Sequence, residues 1–449
     1  MAAIRYLVPD VFSLSKWCYN VKTVWQPDSS LHKEVSMAEK TEGMLSPYRV
    51  LDLADERGLM CGKLMGDMGA DVLKIERPGG DPARNIGPFY HDEKDPEKSL
   101  YWFAVNTSKR GITLDIETAE GRDIFRKLVK TADFVVESFS PGYMDSLGLG
   151  YPDLEKINPG IIMVSITPYG QTGPYRDNKA SDLALWATGA GPLMRSFGDH
   201  DRTPYRISHH AQTYFHAGTE AVVGALVALY HRGDSGEGQH VDVSIQECMS
   251  FFPVGDWDFN RRHRPRGASP MPVNVRHIWP CKDGYVMWRY TGGPNAVRHS
   301  IPLVNWMAEE GMADDWFKSF DWQNFSHFTT TQDVIDRMEE QTISFFMTHT
   351  KAEMMTGAIK YRIMLYPVAA ANDMAESPQL AAREFWPQVE HPELGTSIRY
   401  PGRWSNASET PPVISRRAPL VGEHNDEIYV EELDISRESL ARLKQDGVV

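Results

Sequence analysis

With 449 residues, 41% apolar and 24% charged, the chain is long enough for two or three domains or one large interleaved fold, and too apolar for wholesale disorder. Its 61 acidic against 47 basic residues leave a formal charge of −14, which argues against a nucleic-acid partner, because phosphate binding wants clustered Lys and Arg. No apolar run reaches the ~20 residues of a membrane span, and Cys18, Cys61, Cys248 and Cys281 form no C-x-x-C pair, so membrane, zinc-ribbon and disulfide-framework readings lack support.

Arg5, Pro9, Asp10 and Lys16 interrupt the opening residues, which make no signal-peptide core, so the expected location is the cytoplasm. Residues 1–46 are polar and aperiodic, an N-terminal extension. YRVLDL (48–53) has strand character, GLMCGKLMGDMGA (58–70) carries apolar residues at helical spacing, and DVLKIE (71–76) is a second strand, stopped by Arg77-Pro78-Gly79-Gly80. GITLDI (111–116) is strand-like, and an amphipathic helix follows with Thr118 as its N-cap and Ile124, Phe125, Leu128 and Val129 on one face. DFVVE (133–137) and GIIMVSIT (160–167) are two more strands. This alternation predicts a parallel sheet covered by helices. Thr219–His231 is apolar almost all round, which predicts a buried helix ending at Gly233. QHVDVSI (239–245) alternates as a strand.

Composition shifts near 250. FNRRHRPRGASPMPVN (259–274) is a linker or loop, a second αβ region runs to about 370, a return segment spans 391–404, and a last helix starts at Asp434 or Ser436. The expected organisation is an extension (1–46), a large domain begun by 47–250, a linker and small domain (251–375), and a return to the large domain (376–449).

No G-x-G-x-x-G follows the first strand and no Walker lysine loop occurs. Arg77-Pro78-Gly79-Gly80 is either a plain turn or a phosphate or ribose contact. His209, His210 and His216 cluster at a spacing that fits no familiar metal set, so no metal is expected. H-E-x-x-H and G-x-S-x-G are absent.

Together, RVLDL, GADVLKIERPGGD, NTSKRGITLDIETAEGR, ADFVVESFSPGYMDSLGLGY, INPGIIMVSITPYGQTGPY, GALVALYHR, GEGQHVDVSIQE and APLVGEHNDEI resemble the class III CoA-transferases, in the family's order from about residue 47 to the end. The resemblance implies a Rossmann-like large domain built from both ends of the chain, an inserted small α/β domain, and two chains interlocked as rings. It implies a coenzyme A thioester as substrate, with no permanently bound cofactor. It implies covalent catalysis by one aspartate, whose carboxylate attacks the thioester and then exchanges its acyl group with an acceptor acid.

Counted from Gly224, that aspartate's position holds Tyr214. A phenol with an ordinary pKa near 10 is protonated at neutral pH and is a poor substitute. His216 and Glu220 are the nearest other candidates. Asp182 matches a family position beside an acid/base histidine, but Ser181 stands where that histidine would be. Arg77, Leu114 and Phe139 match family positions around the adenosine end of CoA. Glu117 stands where a lysine often helps, Ser146 where an arginine does, and ASPMPVN replaces the expected glycine-rich loop. The resemblance therefore implies a non-catalytic subunit, whose homologous partner carries the aspartate. Family transferases for aromatic succinates such as benzylsuccinate are built in this way. The alternative is a homodimeric CoA-ester isomerase or racemase, or a CoA-ester-binding regulator.

Overall fold

The computed structural model describes residues 43–190, 211–251 and 273–449. Residues 1–42, His209, His210 and most of ASPMPVN lie outside the described residues.

Six strands form one parallel sheet: β1 (Arg49–Asp52), β2 (Asp71–Glu76), β3 (Lys109–Thr113), β4 (Phe134–Glu137), β5 (Ile162–Thr167) and β6 (His240–Ser244). Their spatial order is β3-β2-β1-β4-β5-β6. The order reverses between β1 and β4, so a crevice opens at their carboxyl ends, where sheets of this kind hold ligands. Alternation along the strands explains why both faces are covered. Leu51, Leu73, Ile112, Val135 and Met163 point to one core, shared with helix Ala119–Val129 and with Leu440 and Leu443 of the last helix. Val50, Val72, Phe134, Val136 and Val164 point to the other, closed by α1 (Leu59–Asp67) and the long helix α2 (Gln212–Ser235).

The chain's end returns to β3. Arg416 O accepts from Ser108 N at 2.9 Å, and Asn425 Oδ1 accepts from Thr113 N at 3.0 Å. A separate core, rich in Trp279, Trp288, Tyr290, Trp306 and Phe346, lies between a three-stranded antiparallel sheet and helices Ser300–Glu309, Gln332–Phe346 and Lys351–Tyr361. Helix Ala119–Val129 is capped as expected, the Thr118 hydroxyl accepting from Gly121 N. The last helix is Arg437–Gln445, capped by Ser436 and not by Asp434.

Helix α2 departs from expectation at both ends and on its surface. It begins at Gln212 and runs past Gly233 to Ser235, where Gly236 takes the left-handed conformation at φ 76°. Its start is anchored by tertiary contact, because Asp182 Oδ1 accepts from Thr213 N and Oγ1 at 3.0 and 2.8 Å. It is buried on one face only. Val223, Val227 and Tyr230 are 52%, 64% and 79% exposed. The four positions between Val223 and Val227, and the three to Tyr230, put all three side chains on one stripe.

Beneath the crevice lies a buried ion pair. Lys109 Nζ donates to Asp52 Oδ2 (2.8 Å), Asn106 Oδ1 (2.8 Å) and Leu59 O (2.9 Å), which satisfies all three ammonium protons. Asp52 and Lys109 are fully buried. We predict that Asp52→Ala, which strands the ammonium, lowers stability by about 3–5 kcal/mol in urea unfolding. A loss under about 1 kcal/mol would show that the pair does not hold this edge together.

Candidate functional site

The crevice is built from the β1–α1 turn, the carboxyl end of β4 and the first turns of α2. The turn carries Asp55-Glu56-Arg57 directly after the first strand. Arg57 Nε donates to both Asp55 oxygens at 2.9 and 3.1 Å, and Nη2 adds a third bond at 2.5 Å. Ser138, just past β4, ties this pair to the sheet: its hydroxyl donates to Asp55 Oδ1 (2.7 Å) and accepts from Asp55 N (2.8 Å). Burial would raise the Asp55 pKa, but Arg57 and Ser138 outweigh it and hold the carboxyl below its usual range. Glu56 shifts the other way, raised by burial and then by the charge of Asp55.

Helix α2 comes close to this turn because Gly218 lets it. A Cβ there would stand 2.8 Å from that of Met60. The approach places Tyr214 in the crevice, 7% exposed. Its pKa is pushed up to about 12, by burial first and then by Glu56, with Arg57 opposing. Tyr101 is also raised, mainly by burial and then by Glu56. The local field is acidic: Asp55, Glu56 and Asp182 all act on the Tyr214 phenol, with Arg57 opposing them. A phenol so placed keeps its proton at any neutral pH.

The two substitutes for a missing carboxylate lie elsewhere. At about 100° per residue, His216 and Glu220 stand about 200° and 240° around α2 from Tyr214. Glu220 is exposed, and His216, half-buried with a lowered pKa caused by burial, feels the charge of Glu220. The structure brings Tyr214 together with Asp55, Glu56, Arg57 and Asp182, but not with His216 or Glu220. Sequence reasoning missed the Asp55-Glu56-Arg57 run. The signal was there, three charged residues in the first βα turn of a parallel sheet.

Arg77, Leu114 and Phe139 converge at the ends of β2, β3 and β4. Leu114 is buried, Phe139 half-buried and Arg77 exposed. Arg77 Nη2 pairs with Glu117 Oε1 at 2.5 Å. No group of three or more His, Cys, Asp or Glu that could hold a metal occurs among the described residues, nor any helix long and apolar enough to cross a membrane.

A cavity of about 270 Å³ beside β4, β5 and β6 is lined by Glu137, Asp145, Tyr151, Ser165, Arg176 and His240. Ser165 Oγ lies 2.8 Å from His240 Nε2 and also bonds Glu137.

The family model for CoA-transferase family III matches residues 45–425. The chain belongs to that family. It is similar to the succinyl-CoA:(R)-benzylsuccinate CoA-transferase subunit BbsE of Thauera aromatica, 35% identical over 86% of this chain and 93% of the relative. It is also similar to succinyl-CoA–D-citramalate CoA-transferase of Chloroflexus aurantiacus, 31% identical over 90% and 98%. Among solved structures, a CAIB/BAIF family protein from Brucella suis superposes with a TM-score of 0.68 at 27% identity, covering 87% of this chain and 99% of that one. Family III enzymes use CoA thioesters as substrates.

Burial raises Glu137 from 4.5 to about 7, against the opposing bonds from Ser165 and Phe139 N. The folded chain therefore keeps a proton between those values that the unfolded chain has lost. Glu137 favours the fold below pH 4.5, and that contribution is lost as pH rises to about 7. We predict that Glu137→Gln loses less stability than wild type between pH 5 and pH 8, by on the order of 1–3 kcal/mol in paired urea titrations. Identical pH dependence would mean that Glu137 ionises freely.

Proposed function

We propose that this chain is the non-catalytic subunit of a heteromeric CoA-transferase, which moves CoA between a thioester such as succinyl-CoA and a carboxylic acid of the aromatic-succinate type, such as benzylsuccinate. The observation that carries the reading is Tyr214. It occupies the position where the family resemblance calls for the aspartate, and it is buried and firmly protonated. The reaction requires a carboxylate that attacks the thioester, expels CoA thiolate and holds the acyl group as a mixed anhydride. A protonated phenol attacks poorly. The aryl ester it would form does not readily exchange its acyl group with a free carboxylate.

The homologous partner then supplies the aspartate, and this chain completes the fold and shapes the acceptor pocket. That the Thauera aromatica relative is itself a subunit supports this reading. The exposed stripe of Val223, Val227 and Tyr230 also supports a partner chain on α2. In this proposal residues 47–250 and 376–449 make the large domain, 251–375 the linker and small domain, and Arg77, Leu114 and Phe139 outline the adenosine pocket. Glu56 favours a second reading, a homodimeric CoA-ester isomerase or racemase. Its raised carboxyl beside Tyr214 is suited to accept a proton.

Native mass spectrometry of the protein from its own source separates the two. The expected result is a complex of this 50.8 kDa chain with a distinct, homologous chain. Assemblies of this chain alone that interconvert CoA esters, and lose that activity in Glu56→Gln, would establish the second reading instead.

A further inference from the structure

At the carboxyl edge of the sheet, three chain segments meet over one arginine. Arg77 leaves the end of β2, Glu117 lies in the turn after β3, and Tyr143 opens the short helix Tyr143–Ser146 after β4. Arg77 Nη2 reaches Glu117 Oε1 at 2.5 Å and Tyr143 Oη at 3.1 Å, and the Tyr143 hydroxyl donates to the same Glu117 oxygen at 2.7 Å. Phe139 packs on the Tyr143 ring at 4.7 Å between centroids, and Leu114 is buried nearby. The three polar groups thus close on one another, and the carboxylate takes the place in front of the guanidinium that an incoming anion would need.

We propose that Glu117 is an internal stand-in for phosphate, which closes the nucleotide-phosphate pocket of this chain so that a phosphorylated adenosine cannot use Arg77. This rests on reading the chain as a CoA-transferase subunit, and it adds that a pair of unlike chains has only one open nucleotide pocket, on the partner. The closure does not depend on a strong ion pair. The Arg77 and Glu117 side chains are 60% and 48% exposed, and such pairs are individually weak. It works because a phosphate must both displace the carboxylate and approach its charge. The Tyr143 hydroxyl and then Arg77 hold the Glu117 pKa below its usual value, so the carboxylate stays charged at neutral pH.

The test is calorimetric titration of the full chain with adenosine 3′,5′-bisphosphate, for wild type, Glu117→Gln, Glu117→Lys and the double variant Arg77→Ala/Glu117→Lys. Circular dichroism serves as the fold check. Wild type should show no saturation. Glu117→Gln should bind at least about tenfold more tightly, the scale of one gained charge-assisted contact. Glu117→Lys should bind more tightly still, and the double variant should lose the gain. Equal binding by wild type and Glu117→Lys, or no binding by a folded Glu117→Lys, would overturn the proposal. So would a gain that survives loss of Arg77. Should native mass spectrometry find only copies of this chain, the subunit reading fails while this titration still decides the closure.

Discussion

The crevice depends on the bond between Lys109 and Asp52. The two residues are β3's first and β1's last, on strands separated by β2, and neither is exposed. Taking two charges out of water is costly, and it is repaid here only because every ammonium proton has an acceptor, one of them the Leu59 carbonyl at the start of α1. Asp52 Oδ1 in turn accepts from Ala54 N at 3.0 Å. The same pair therefore fixes where β1 stops and where α1 begins, and so the path of the turn that carries Asp55, Glu56 and Arg57. Gly62 is part of this arrangement, since a Cβ there would come within 2.2 Å of Asp52 Oδ2.

On that frame the chemistry is set by charge. Arg57 is already engaged by Asp55, which leaves Glu56 without an ion-pair partner among the described residues and facing two phenols. An acidic, partly dry pocket of this kind stabilises a proton on Tyr214 and disfavours the build-up of negative charge that attack on a thioester would bring. The fold keeps close packing of α1 on α2 and an open carboxyl edge of the sheet, yet the electrostatics of the crevice run against anion chemistry. In the proposed heteromer, the partner's aspartate in the equivalent place resolves that conflict.

Much of the fold was legible in the sequence because it is carried by local pattern. The strands around 49–52, 71–76, 134–137 and 162–167 are short apolar runs bounded by turn residues, and the Thr118 cap is a local contact. The start of α2 was not legible, because it is set by Asp182, thirty-one residues away from Thr213. Nor was the exposed stripe on α2. An apolar face left exposed has the same composition as one that packs inward, so Val223, Val227 and Tyr230 looked like core. At the site, Tyr214 was found through resemblance alone. Its surroundings needed the structure, since the β1–α1 turn lies more than 150 residues away in sequence. The tethering of Arg77 by Glu117 likewise joins residues forty positions apart.

The central claim is that the acyl group never rests on this chain. The direct measurement is intact-mass analysis of both chains after the purified complex is mixed with its CoA thioester and trapped with hydroxylamine, which converts an acyl-carboxylate anhydride into a hydroxamate. The account predicts a modified aspartate on the partner and an unchanged mass for this chain. A hydroxamate on this chain, at Glu56 or any other carboxylate, would contradict it.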